Sequence, residues 1–279
     1  MDNYTLSNGV QIPVIGFGTW QMPNDETGVN AVLSALEAGY RHIDTAQGYG
    51  NEQAVGKALR LSGIPRNEVF ITSKLDNNNH SYEITMSSFA QTLENLGTDY
   101  LDLFLIHWPN PLPFRSHWQS ANAETWKAFE ELYNAGKIRA IGISNFRQHH
   151  ITELLKTAQI PPQVNQIRLC PGETQPELVA FCKQQGILLE AYSPLGTGQI
   201  FSVPEIISLS EKYNTTPAQL CIRWSIQNGW LPLPKSVNPE RIKQNLDVFS
   251  FTISPEDCQT IADLTDCIGH SLDPDTTPW

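Results

Sequence analysis

The 279-residue chain has no apolar run that approaches the ~18 residues a membrane-crossing helix needs. Its opening, MDNYTLSNGVQIP, lacks the basic and then apolar layout of a secretory signal, so a cytoplasmic protein is expected. Positive charge is scarce: 18 Lys and Arg stand against 29 Asp and Glu, a net charge of -11. That balance argues against a basic face for nucleic acid or an anionic membrane, and an anionic ligand must meet locally placed cations. The five cysteines (Cys170, Cys182, Cys221, Cys258 and Cys267) are odd in number and form no C-x-x-C pair, which predicts free thiols. The histidines include neither H-x-H nor H-E-x-x-H, and the doublet His149-His150 sends its members in different directions from a helix start. No metal centre is expected. A G-x-S-x-G elbow is missing, which leaves a serine hydrolase without support. So is the G-x-G-x-x-G turn that opens a doubly wound dinucleotide fold, since Gly16-Phe17-Gly18 supplies only two glycines.

What is present is a repeat of short apolar runs and amphipathic stretches. Strands are predicted at Ile15–Gly18, Arg41–Thr45, Val69–Lys74, Asp102–Ile106, Arg139–Ile143, Gln163–Gln166, Leu188–Tyr192 and Leu231–Pro234. Helical periodicity marks segments such as Glu52–Leu61, Ile84–Leu96, Thr125–Ala135, Pro176–Gln185 and Pro217–Gln227. Strand followed by helix, repeated, points to a parallel sheet, and the stretch YLDLFLIHW from Tyr100 reads as buried on both faces. Eight such units predict a closed (β/α)8 barrel, and with no linker in sight one domain is expected over residues 1–279. Asn8-Gly9 signals a hairpin that plugs the barrel floor. The helix candidate Pro255–Leu264 and the tail Leu272–Trp279 read as additions that cover one end.

Polar side chains sit where several strands finish: Asp44, Lys74, His107, Ser144-Asn145, Gln166, Tyr192-Ser193 and Lys235-Ser236. In a barrel these ends share the face on which active sites are built. Taken singly, an Asp–Lys pair is usually structural, and a lone tyrosine or histidine is usually packing. Together they suggest acid–base chemistry. Asp44 and Lys74, at adjacent strand ends, are expected to pair, and Lys74 beside Tyr49 is expected to lower the phenol from its ordinary value of about 10 and make it a general acid. His107 then orients the substrate oxygen or shares the proton.

These residues lie within stretches that resemble the aldo-keto reductase family along nearly the whole chain. The stretches are GFGTW from Gly16, GYRHIDTAQGYGNE from Gly39, LDLFLIHWP from Leu101, GISNF from Gly142, AYSPLG from Ala191 and PKSVNPERIKQNL from Pro234. The resemblance implies a barrel whose catalytic residues are Asp44, Tyr49, Lys74 and His107. It implies a reduced nicotinamide that gives hydride to an aldehyde or ketone while the tyrosine protonates the oxygen. Ser144, Asn145 and Gln166 would hold the cofactor carboxamide, with Tyr192 stacked on its ring and Thr19, Trp20 and Asp44 beside it. Ser193, Leu195 and Gly196 would line the pyrophosphate. Lys235, Ser236 and Arg241 would grip a 2′-phosphate, selecting NADPH over NADH, with Gln244 and Asn245 at the adenine.

The chain departs from that pattern at Gln244, where Glu is usual, at Arg168 and Cys170, where Glu and His are usual, and at Leu75-Asp76 in place of Leu-Trp. Trp20, Trp108 and Trp279 are candidate walls of a substrate pocket shared with Tyr49 and His107, and Phe114, Arg115 and Trp118 follow in a short loop. Compact loops resemble the bacterial branch of diketogluconate and broad-specificity carbonyl reductases. The expected protein is thus a monomer acting on small aldehydes, α-keto esters or diketo sugars. The alternative is a slow nicotinamide-binding regulatory or redox-sensing protein.

Overall fold

The computed structural model describes residues 2–279. An antiparallel hairpin, β1 (Asn3–Thr5) and β2 (Gln11–Pro13), turns at Asn8-Gly9 and precedes eight parallel strands. These are β3 (Phe17–Gly18), β4 (His42–Asp44), β5 (Phe70–Leu75), β6 (Leu101–Ile106), β7 (Ile138–Ser144), β8 (Val164–Arg168), β9 (Leu188–Tyr192) and β10 (Leu231–Leu233). Each pairs with its neighbour in sequence order. Backbone bonds from Gly16 N to Pro232 O (3.1 Å) and Gly18 N to Pro234 O (3.0 Å) join the first strand to the last and close the barrel. Glycine is required at this seam, because a Cβ on Gly16 would stand 2.6 Å from both His42 Nδ1 and Leu233 Cδ2.

Among the described residues ten α-helices occur, in chain order: α1 (Glu26–Ala38), α2 (Glu52–Ser62), α3 (Tyr82–Leu96), α4 (Trp118–Asn134), α5 (Gln148–Leu154), α6 (Pro176–Gln184), α7 (Pro204–Lys212), α8 (Pro217–Gln227), α9 (Pro239–Leu246) and α10 (Pro255–Ala262). The apolar face of these helices and the outer faces of the strands form the main core, including Phe89, Phe104, Phe129 and Trp224. A second cluster fills the barrel floor, where Leu6 and Ile12 of the hairpin segment meet Phe70, Leu103, Leu105, Ala140, Val164 and Leu231. The hairpin thus plugs the floor as its turn signal suggests.

Boundaries differ where local geometry overrides composition. Strand β3 is shorter than Ile15–Gly18, and β8 runs on to Arg168 because its ladder with β9 continues to Tyr192. Helix α4 starts at Trp118 rather than Thr125, since the residues after Trp108 make a short 3-10 turn, Leu112–His117, that leads directly into it. Helix α5 has only seven residues, two turns being too few for a periodic signal.

Polar residues at the N-terminal end of the barrel serve stability. Asp102, buried at the start of β6, accepts from Ile71 N (2.9 Å) on β5 and pairs with Arg66 (2.8 Å) and with Arg139 of β7 (2.7 Å). Asp102→Ala leaves the Ile71 N–H buried without an acceptor. We expect it to cost roughly 1–3 kcal/mol in urea denaturation. An unchanged midpoint would refute the staple.

Candidate active site

The strand period of two puts His42 and Asp44 of β4 on the inner face, as it does Thr72 and Lys74 of β5. The register sets Asp44 opposite Thr72, one pleat below Lys74. The Lys74 ammonium reaches back and is fully enclosed. It donates to Asp44 Oδ1 (2.7 Å), to Thr45 O (2.9 Å) and to Tyr49 Oη (3.2 Å).

Tyr49 ends a short 3-10 turn, Gln47–Tyr49, stopped by Gly50 in the left-handed region at φ +67°. Side chains of the same segment fasten this loop. Asn51 donates to Thr19 O and Met22 O and accepts from Thr45 Oγ1, while Gln47 Oε1 accepts from Asp76 N. The backbone N–H of Asp76 thus ties the loop after β5 to that of Tyr49. The Tyr49 and His107 rings meet edge to face with centroids 5.7 Å apart.

The electrostatics correct one expectation. Burial raises the Tyr49 phenol above 10, and Lys74 only opposes that rise; Asp44 adds to it. The hydroxyl therefore stays protonated at neutral pH, as a donor must. The Lys74 ammonium, by charge and by hydrogen bond, favours the phenolate and so limits that rise. Burial pushes the Lys74 ammonium down, but Asp44 and Tyr49 together outweigh it and hold the ammonium above its ordinary value. Burial, then Lys74, then His80 hold His107 well below 6.5, so its imidazole is neutral.

The other strand-end residues gather around this centre. Gln166, beside Ser144 and Glu190 in the ladder, donates to Asp44 Oδ2 (2.8 Å) and to Glu190 Oε2 (2.7 Å). Ser144 Oγ donates to Gln166 O, and Asn145, at φ +62°, donates to His107 O and to Ser144 Oγ. Tyr192 Oη donates to Asn145 Oδ1 (2.9 Å). Both amide hydrogens of Gln166 and both of Asn145 are thereby spent within the chain. What these two side chains offer a bound carboxamide is acceptor oxygen, which fits its NH2 group.

Ser193, Leu195 and Gly196 follow β9 in a turn with Ser193 at φ +50° and Gly196 at φ +53°. Lys235 and Ser236 follow β10, and Arg241, Gln244 and Asn245 lie on α9. Lys235 and Arg241 are exposed and make no ion pair among the described residues, so in this acidic chain their charges are free for a phosphate. Gln244 is exposed, and Asn245 is buried. Thr19 is committed to the frame, with its backbone N–H and its hydroxyl both on Asp44 O.

Trp20 stands half-exposed after β3, whereas Trp108 is buried and meets Trp279 edge to face at 5.5 Å. The tail that carries Trp279 is tied down by a backbone bond and by the Arg115 side chain. Leu112 N donates to Trp279 O (2.7 Å), and Arg115 donates to Thr277 O (2.6 Å). Arg168, a departure from the family pattern, pairs with Glu173 (3.3 Å), which accepts from Ser271. Cys170 is buried, its thiol pushed up to about 12 by that burial, and all five cysteines are free. Phe114 stacks on the buried His80, and Trp118 meets His150 edge to face.

His149 and His150 do not diverge. Their rings lie 3.8 Å apart, and both reach Asp275 of the tail, at 3.2 and 2.9 Å. These three side chains are close enough to share a metal ion. However, His150 Nδ1 accepts from Arg147 N (3.1 Å), so Nε2 carries the hydrogen and gives it to Asp275. The cluster is a hydrogen-bonded clasp on the tail.

Residues 14–266 match the model of the aldo/keto reductase family. The chain is 45% identical over 260 residues to the glyoxal reductase of Bacillus subtilis (strain 168), covering 93% of this chain and 91% of that protein. It is 44% identical to the 9,11-endoperoxide prostaglandin H2 reductase of Trypanosoma cruzi (strain CL Brener), covering 97% and 94%. An aldo-keto reductase enzyme from a Medee basin deep-sea metagenome library superposes with a TM-score of 0.93 at 41% identity, covering 99% of this chain and 100% of that one. A mutant of Gox0644 in complex with NADPH gives 0.92 at 37% identity, covering 99% and 98%. On this fold, this site and these relatives, the chain belongs to the aldo/keto reductase family and is an oxidoreductase acting on carbonyl groups.

Proposed function

We propose that the chain is an NADPH-dependent carbonyl reductase in which Tyr49 gives the proton to the substrate oxygen. The observation that carries this reading is the enclosed Lys74 ammonium between Asp44 and the Tyr49 hydroxyl. When bound, the reduced nicotinamide supplies the hydride. The chain does the rest. His107, neutral, donates a hydrogen bond that sets the carbonyl oxygen beside Tyr49 Oη. As the phenol proton moves to that oxygen, the Lys74 ammonium holds the phenolate, and Asp44 keeps the ammonium charged and in place. The reverse oxidation uses the same groups.

Asn145 and Gln166 orient the carboxamide, and Ser144 sets the Asn145 side chain. Tyr192 covers the ring, Thr19, Trp20 and Asp44 flank it, and Ser193, Leu195 and Gly196 line the pyrophosphate. Lys235, Ser236 and Arg241 take the 2′-phosphate, with Gln244 and Asn245 at the adenine. Trp20, Trp108 and Trp279 wall the substrate. A glyoxal reductase among the relatives favours small aldehydes; α-keto esters and diketo sugars complete the proposed range of substrates. The protein works as a single-domain monomer in the cytoplasm.

The test is NADPH oxidation by the purified protein against a panel of these carbonyls, followed by absorbance. Within it, Arg241→Ala is expected to raise the KM for NADPH roughly 10- to 100-fold, the equivalent of one charge-assisted hydrogen bond, and the KM for NADH less than about twofold. Equal weakening of both cofactors would remove the 2′-phosphate role.

A further inference from the structure

One buried carboxyl beneath the site takes no part in the chemistry above. Glu190 lies in the middle of β9, in an otherwise apolar run, and is fully buried. Its neighbour in the ladder is Gln166. The single nitrogen of the Gln166 amide donates one hydrogen to Asp44 Oδ2 (2.8 Å) and the other to Glu190 Oε2 (2.7 Å). An amide held by two carboxyl acceptors has one orientation. Its nitrogen faces the two acids, and its oxygen is the atom left uncommitted.

We propose that Glu190 is a positioning residue: with Asp44 it clamps the Gln166 amide so that the amide oxygen is presented to the carboxamide of the nicotinamide. This rests on the reading that Gln166 faces that cofactor.

The clamp holds two acids near one nitrogen, and only one has a cation. Asp44 has the Lys74 ammonium at 2.7 Å. The polar groups facing Glu190 are His42 and Asp44 from β4, Lys74 from β5 and Gln166 from β8. Burial, then Asp44, push Glu190 up to about 8. Burial, then Lys74, pull His42, whose Nε2 lies 3.8 Å from Glu190, down to about 3. The proton therefore sits on the carboxyl, and both members of this pair are uncharged at neutral pH. Its sign in stability is fixed: between 4.5 and about 8 the folded chain keeps a proton that the unfolded chain releases, so this group lowers stability as pH rises through that window.

Two variants test the inference on the protein without cofactor and with it. Glu190→Leu removes one acceptor and frees the amide to turn. NADPH fluorescence titration at pH 7 is expected to show roughly tenfold weaker binding, one hydrogen bond's worth, with the KM for NADPH rising more than kcat falls. Glu190→Gln keeps an acceptor without a titrating proton and is expected to bind NADPH within about twofold of wild type. In the cofactor-free protein, the melting temperature of Glu190→Gln relative to wild type is expected to climb steadily from pH 5 to pH 8. Wild-type affinity in Glu190→Leu overturns the clamp. Should Glu190→Leu fail to fold, NADPH binding weakened tenfold in Glu190→Gln overturns it instead. Wild-type protein that does not bind NADPH overturns the reading of the site and this inference with it.

Discussion

Tyr49→Phe is expected to lower carbonyl reduction by about 10²- to 10⁴-fold, the usual contribution of a general acid, while NADPH binds as in wild type. The substitution removes one oxygen and little else. The ring keeps its edge-to-face contact with His107 and its place under the Lys74 ammonium, 4.7 Å from the centroid. Lys74 keeps Asp44 and Thr45 O as acceptors, so no buried charge is stranded. His107, whose ring meets that of Tyr49, is the rival proton donor, and its environment separates the two. Burial and then Lys74 hold it well below 6.5, so the imidazole is neutral near neutral pH. Acidification from pH 7.5 to 6 is therefore not expected to rescue Tyr49→Phe. Turnover close to wild type in this variant would sink the mechanism, and rescue at pH 6 would transfer the donor role to His107.

Lys74→Met has the second large effect, and it falls on stability as well as on activity. With the ammonium gone, Asp44 is left buried with only the Gln166 amide against its side chain. Removing one partner of a buried pair costs about 3–5 kcal/mol. For a chain of this size that lowers the melting temperature by on the order of 10 °C. The pH dependence follows from the direction of the Lys74 shift. The folded state holds the ammonium above its ordinary value, so its contribution is complete below that value and is lost only as pH rises past the folded one. Titration of Lys74 itself is therefore expected to add no slope with pH to the gap in melting temperature between wild type and Lys74→Met below about pH 9. The double variant Asp44→Asn with Lys74→Met removes the stranded charge. It is expected to regain part of the stability and none of the turnover, because the phenolate still lacks its cation. A double variant no more stable than Lys74→Met would show that the loss is packing rather than charge.

Much of this architecture is legible in the chain before it folds. Strand β6 announces itself as LDLFLI, apolar on both faces, because a parallel strand covered by helices outside and side chains inside has no wet face. Asp44, Lys74 and Gln166 are visible as polar endings on such runs, since the strand ends of a barrel share one face, where polar side chains meet one another instead of core. Asn8-Gly9 gives away the hairpin because few other dipeptides accept the turn. The departures were visible too, but not their consequences. Arg168 shows that a family position has changed, and only folding brings Glu173 and Ser271 to it.

Sign and direction were harder to read than identity. The composition of HIDTAQGYG places a tyrosine near a lysine-bearing strand, which argues for a lowered phenol. The folded protein raises it, because burial at the barrel mouth outweighs the ammonium. Likewise His149 and His150, neighbours on a helix, were expected to part. They converge because Asp275, 125 residues further along the chain from His150, accepts from one and pairs with the other.

The sequence by itself determined the elements and the chemical types at the strand ends, since both depend on local periodicity and on which side chains can be buried alone. Only the tertiary structure decided which of those groups share a proton or a charge. The clamp of Asp44 and Glu190 on Gln166 and the enclosure of Lys74 join strands that are distant in sequence. The energy of each such contact depends on how thoroughly water is excluded from it, and that is a property of the closed barrel.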